Sequence, residues 1–258
     1  MNELRYVYAV TRPFEGVLPE GVEGLDGRPP RLVGHEGLVA AVSPVGAGDF
    51  DEIPLKAHLE DLGWVTATAR THQAVVAALA TLTTPLPLRL ATVCRDDSGV
   101  RRLVDSGREH FVRTLERLDG RVEWGVKVYV DEGPATAAAA RVPGEPGRVP
   151  SGRDYLRGRR QERDARDDAW KRAVTAARQL HTELCRHAED GVVHRPQDAR
   201  LSAAPGRNVL NAAYLVERAH SEAFVERVEA LHPASPAIRV ELTGPWAPYS
   251  FTGQQAPR

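Results

Sequence analysis

Hydrophobic positions change period several times along this chain, and each change marks a new element. Residues 3 to 10 alternate, with Leu4, Tyr6 and Tyr8 toward one face and Val7 and Val10 toward the other, which predicts a strand. Residues 11 to 30 are rich in Gly and Pro and predict a loop. Arg31-Leu32-Val33 and residues 38 to 42 predict two more strands, with Gly34 and Gly37 flanking a tight turn. From Leu55 the spacing shifts to three and four: Leu55, Leu59, Leu62, Val65, Ala69, His72, Val76 and Leu79 form one helical stripe, stopped by Pro85 and Pro87. PLPLRLATVC (85–94) predicts a strand. Asp97 or Ser98 is placed to cap a helix with Val100, Leu103, Val104, Phe111, Leu115 and Leu118 on its apolar face. RVEWGVKVYV (121–130) then turns Val122, Trp124, Val126, Val128 and Val130 to one face and Tyr129 outward.

Residues 131–152 are dense in Pro, Gly and Ala and predict a linker. Beyond them lies a long helix, apolar only in its later part through Trp170, Val174, Ala177, Leu180, Leu184 and Ala188. Its earlier part, RGRRQERDARDD (157–168), sets five Arg against four acids, the pattern of a solvated helix laced with i,i+4 pairs rather than of a phosphate-binding patch. Strands at 191–194 and 208–216, a helix through Phe224 and Val228, and a strand at 237–242 complete a second unit. The expected organisation is α+β: an N-terminal domain (1–130), a linker (131–152), a C-terminal domain with a long leading helix (153–243) and a tail (244–258). Each domain is expected to be a sheet covered by helices, ferredoxin-like in character.

Composition narrows the functions. Hydrophobic residues make up 42% of the 258, enough for a sizeable core. Lys+Arg 34 against Asp+Glu 35 leaves no basic excess for nucleic acid. Cys94 and Cys185 are the only cysteines, which suits a reducing cytosol. MNELRYVYAV lacks the build of a signal peptide, and no apolar run approaches the ~20 residues of a membrane span. A cytoplasmic protein with neither nucleic-acid nor membrane partners is expected.

Catalytic patterns are missing: there is no G-x-x-x-x-G-K-[ST], G-x-G-x-x-G after a strand, G-x-S-x-G or paired C-x-x-C. The best metal candidate is His181, Cys185 and His187 with His194 as a distant fourth ligand; the plainer reading is a surface histidine beside a buried cysteine. His72, on an apolar stripe, reads as a hydrogen-bonded core histidine rather than a base. The acidic turn GDFDEIP (48–54), with Asp49, Asp51 and Glu52, lacks calcium-loop spacing and reads as a solvated turn before a helix. No catalytic, cofactor-binding or metal-binding residue is therefore assigned. The distinctive stretch is the tail, where Pro245, Trp246, Pro248, Tyr249 and Phe251 crowd near a terminus; such groups serve either as a binding surface or as a plug for their own chain.

Six segments in order carry a resemblance: YVYAV at the start, PLPLRLATVC (85–94), VEWGVKVYV (122–130), GRDYLRGRR (152–160), NVLNAAYLVER (208–218) and ELTGPWAPYSF (241–251). Together they resemble the gas vesicle protein GvpL/GvpF family. Gly244, Pro245, Trp246, Pro248, Tyr249 and Phe251 follow its closing pattern, with Ala247 where a proline is common; Leu88-Arg89-Leu90-Ala91 stands where Leu-Arg-Phe-Gly is more frequent. The resemblance implies two α+β domains and a C-terminal tail folded back on the N-terminal part. It implies a non-enzymatic accessory role in gas vesicle assembly, with no cofactor. The implied partners are the hydrophobic shell protein and other accessory proteins, the chain acting as adaptor, chaperone or minor vesicle component. It leaves L-type and F-type members unseparated and self-association open. Arg89, on the exposed N-terminal sheet, is the expected partner-binding residue, and the five tail residues are expected to dock between the domains. The alternative is a small-molecule-binding or enzymatic ferredoxin-like protein, which needs converging titratable groups in a pocket.

Overall fold

The computed structural model describes residues 3–130, 152–196, 206–231, 235 and 237–253. Two compact units divide the chain: residues 1–123 with 246–258, and residues 124–245. Each is a sheet with helices packed on it.

In the first unit, strands β1 (Glu3–Thr11), β2 (Arg31–His35), β3 (Leu38–Gly46) and β4 (Leu86–Pro87) lie in the order β2-β3-β1-β4, and β5 (Val93–Cys94) also pairs with β1. β1 runs antiparallel to β3 with Val7 opposite Val42, Ala9 opposite Ala41 and Val10 opposite Ala40. The register slips between Val7 and Ala9, a bulge at Tyr8. Cross-strand partners share a face, so this extra residue lets Val7 and Val10 point the same way although they are three apart. Tyr6, Tyr8 and Ala9 face a core with Phe50 of α1 (Ala47–Phe50) and with Val75, Val76 and Leu79 of α3 (Leu62–Ala80). Helix α4 (Asp97–Leu118) packs along β1, β2 and β4 and buries Val100, Val104, Phe111, Leu115 and Leu118. Residues from Tyr6 to Val10 are fully buried as a result.

Three local expectations change. The stripe from Leu55 is two helices, because α2 (Glu52–His58) ends before Asp61, whose carboxylate caps α3 by accepting from the Gly63 and Trp64 N–H groups. Asp96, not Asp97 or Ser98, caps α4, accepting from the Gly99 N–H at 2.7 Å. That frees Asp97 to take the guanidinium groups of Arg5 (2.8 Å) and Arg31, whose hydrogen bonds lower its pKa to about 2. PLPLRLATVC is not one strand: β4 and β5 are separate pairings joined by a turn in which Ala91 has φ 63°.

In the second unit the sheet order is β7-β8-β6-β9, from β6 (Arg121–Val130), β7 (Asp190–Val193), β8 (Arg207–Glu217) and β9 (Ile238–Trp246). The sequence reading places residues 121–130 at the end of the first domain. Pairing with β8 and β9 instead ties β6 to the second sheet, and the division between units falls inside it, after Glu123. Helix α5 (Gly152–Leu184) buries Ala173, Ala177, Leu180 and Leu184, and α6 (Ser221–Ala230) buries Phe224 and Val228. The Arg207 guanidinium lies 3.9 Å over the Trp170 ring, where the apolar stripe of α5 ends. Glu183 on α5 pairs with Arg227 on α6. Tyr129 is buried rather than outward, with the Arg239 guanidinium 4.5 Å over its ring, because both faces of β6 are covered. Residues 131–151 of the expected linker lie outside the described residues.

Candidate functional site

The first unit closes on itself through residues 246–253, and a buried polar cluster forms where they meet it. Ala247 and Phe251 are buried and Tyr249 packs on the α3-facing core. Pro248 is buried as well, whereas Pro245 and Trp246 stay at the surface, Trp246 being 40% exposed. The burial falls instead on Ala247, a small side chain. A short 3₁₀ turn (Tyr249–Phe251) aims the Ser250 backbone N–H and Oγ at the Glu123 carboxylate, each at 2.8 Å. Burial pushes the Glu123 pKa up, and the two Ser250 donors pull it partly back.

Beneath Tyr249 lie Tyr6 and His72. The Tyr6 hydroxyl accepts from the Ala91 N–H at 3.1 Å and meets His72 Nδ1 at 2.9 Å. Nε2 has no partner among the described residues, and neither has the hydroxyl of Tyr249, whose ring centroid is 6.2 Å from that of His72. Burial lowers the His72 pKa to about 4 and raises those of Tyr6 and Tyr249. A neutral imidazole wedged among phenols is a structural arrangement with no nucleophile beside it.

Arg89 stands on the turn between β4 and β5, at an edge of the first sheet, with an exposed side chain. The turn is pinned from several sides. Leu88 N–H donates to the Tyr8 carbonyl (2.9 Å), Val7 N–H to the Thr92 carbonyl (2.8 Å), and Thr92 N–H and Oγ1 to the Arg89 carbonyl (3.2 and 2.7 Å). Tyr6 thus links the two regions, holding the Arg89 turn through Ala91 and the tail's neighbour His72 with one hydroxyl.

The remaining candidates separate into ordinary contacts. His181 Nδ1 lies 2.8 Å from the Tyr214 hydroxyl, and His187 pairs with Glu183 at 3.6 Å. The expected surface histidine beside a buried cysteine is reversed: Cys185, just past the end of α5, is exposed, and His181 is half-buried because Tyr214 holds it. Among the described residues no three His, Cys, Asp or Glu side chains converge as a metal site would require. In the acidic turn, Asp51 caps α2, Glu52 pairs with Lys56 (2.9 Å) and Asp49 lies 3.2 Å from His58. A surface groove of about 470 Å³ beside α3 is lined by Gly21, Val22, Glu23, Arg70, Thr71 and Ala74, too few titratable groups for a reaction centre. Sequence reasoning missed Glu123 and Ser250; the available signal was a lone carboxylate inside the apolar run VEWGVKV. Among the described residues no helix is long and apolar enough to cross a membrane.

Comparison with known proteins gives one consistent result. The family described as gas vesicle synthesis protein GvpL/GvpF matches residues 4–253. The chain is 63% identical to gas vesicle protein L of Streptomyces sp. (strain CB03234) over 252 residues, covering 98% of this chain and 94% of that one. It is 28% identical to gas vesicle protein F of the same strain over 255 residues, covering 95% and 98%. Crystal structures of GvpF from Anabaena sp. PCC7120 and from Microcystis aeruginosa share the fold, with TM-scores of 0.68 and 0.66 at 20% and 18% identity. They cover 99% and 98% of this chain, and 98% and 99% of their own.

Proposed function

The chain belongs to the GvpL/GvpF family of gas vesicle synthesis proteins, and from that premise we propose that it is a non-enzymatic adaptor in gas vesicle assembly. It binds the hydrophobic shell protein, and other accessory proteins, before they join the vesicle. The observation that carries this reading is the family match, which spans both units rather than a detachable module. A shell subunit awaiting assembly exposes apolar surface and strand edges that aggregate, and a soluble adaptor covers them with an edge or apolar surface of its own. The turn bearing Arg89 offers such an edge, held rigid by the hydrogen bonds to β1, so little conformational entropy is lost on docking. In the cell the protein then works in the cytoplasm and at the gas vesicle.

Co-expression with the shell protein of the same gene cluster, followed by pull-down on this chain, tests the reading. Soluble shell protein is expected to co-purify, and Arg89→Glu is expected to reduce the captured amount by about tenfold, the scale of one lost charge-assisted contact. The variant's melting curve checks that the fold is intact. Capture unaffected by Arg89→Glu removes this edge from the proposal. Shell protein that stays insoluble and unbound in the wild-type experiment overturns direct binding, and the same pull-down with each accessory protein then decides whether the adaptor role survives.

A further inference from the structure

Strand β2 ends the first sheet on one side, and its outward backbone is open. Its hairpin with β3 turns through two residues, Glu36 (φ 47°) and Gly37 (φ 74°), with His35 opposite Leu38. A two-residue hairpin makes that closing pair a hydrogen-bonded one, and hydrogen-bonded pairs then alternate along antiparallel strands. Arg31, Val33 and His35 therefore direct their backbone groups at β3, whereas Leu32 and Gly34 turn N–H and C=O outward. Among the described residues nothing bonds to those outward groups. The other outermost strands are blunted by short length, charge or proline. β4 has two residues and contains Pro87, β7 has four and starts at Asp190, and β9 carries Arg239, Glu241 and Pro245.

The side chains of β2 define what kind of strand fits beside it. Arg31 and His35 point to α4, where they pair with Asp97 and with Asp105, and Val33 between them is buried. Leu32 lies on the other face, because its partner Ala41 belongs to the core under α3. There Leu32 is 39% exposed, and a Cβ added at Gly34 meets no atom within 4 Å. Val39, opposite Gly34, is half-buried. This shelf carries no charge, and the two charges of β2 are matched on the far face. Uncharged, apolar side chains suit it. Pro29 and Pro30 before β2 and the turn after it limit the receiving stretch to five residues.

We propose that β2 receives an extended, uncharged segment of the shell protein as an added strand, paired through the Leu32 and Gly34 backbone groups. The choice of partner rests on the shell-binding reading above. The surface does not, since β2 and the Arg89 turn lie at opposite sides of the sheet. Around Arg89 the N–H groups of Leu88, Ala91 and Thr92 are already bonded within the unit, which leaves strand pairing to β2.

Hydrogen exchange on the full chain, alone and in complex with co-expressed shell protein, reads this pairing. The Leu32 and Gly34 amides are expected to exchange at least about tenfold more slowly in the complex, because they face outward in the free chain. Two substitutions at one position separate backbone from side chain. Gly34→Ala keeps the outward N–H and places its methyl in open space, so capture of shell protein is expected to match the wild type. Gly34→Pro removes that N–H without touching the β3 ladder, and capture is expected to fall about tenfold. Its melting curve checks the fold, and exchange on the wild type decides alone if that variant melts early. A wild-type chain that captures no shell protein overturns both the inference and the reading it rests on. Shell protein captured while Leu32 and Gly34 exchange as in the free chain, or captured equally by folded Gly34→Pro and Gly34→Ala, overturns the inference alone.

Discussion

Phe251→Ala lowers the stability of the first unit by about 3–5 kcal/mol, the cost of emptying a buried aromatic site. Phe251 is buried one residue from Ser250, which donates two hydrogen bonds to the carboxylate of Glu123. Loosening the 3₁₀ turn therefore does more than open a cavity. It leaves Glu123, a buried carboxylate, without the donors that offset its desolvation. For a unit of this size the melting temperature is expected to fall by roughly 10–20 °C, read by calorimetry or urea titration. Trp246→Ala is the control. That side chain is exposed, and its loss is expected to move stability by about 0.5 kcal/mol or less, the ordinary surface effect. Should the two variants melt together within a few degrees, the tail is a passenger and the first unit is complete without it.

That contrast within one short segment shows what could be read from the sequence. Pro248, Tyr249 and Phe251 stand out as residues that rarely end a chain loosely, and the structure packs them on the first unit. Trp246 stands out equally and is exposed, because aromatic identity says how much surface a side chain has and nothing about which way the backbone turns it. The strands and long helices were legible because periodicity is a local property. The bulge at Tyr8 was legible only in part. Val7 and Val10 sharing a face requires an extra residue, yet only the register with β3 places it. Strand β6 is legible as a strand, but its place in the second sheet is not, since its neighbours β8 and β9 are distant in sequence. The buried acid Glu123 was missed for the same reason. Its partner Ser250 is 127 positions away, and no spacing rule reaches that far.

His72 sets the acid limit of the first unit. Burial lowers its pKa from 6.5 to about 4, so the folded state resists the proton that the unfolded chain accepts. Between those two values the unfolded state binds more protons, and stability falls as pH falls. The contribution is complete above about pH 6.5 and gone below about pH 4; a shift of this size corresponds to about 3 kcal/mol. The surroundings explain the resistance. The Tyr6 hydroxyl, 2.9 Å from Nδ1, and the Tyr8 and Tyr249 rings, 5.6 and 6.2 Å away between centroids, bring no counter-charge. Glu123 acts in the opposite sense. Its raised pKa means that the folded state takes a proton before the unfolded chain does, so it adds stability as pH falls toward 4.5. Asp97, lowered to about 2, loses its contribution only below about pH 4 and does not confuse the window. Urea titrations at intervals from pH 7 to pH 4 are expected to show the wild type losing stability through this range. His72→Gln is expected to lessen the loss, with His194, whose pKa burial also lowers, still contributing and Glu123 opposing, and Glu123→Gln makes the wild-type loss steeper. Parallel curves for the wild type and His72→Gln would mean that His72 is protonated as easily in the folded chain as in the unfolded one, and the neutral buried imidazole would have to be abandoned.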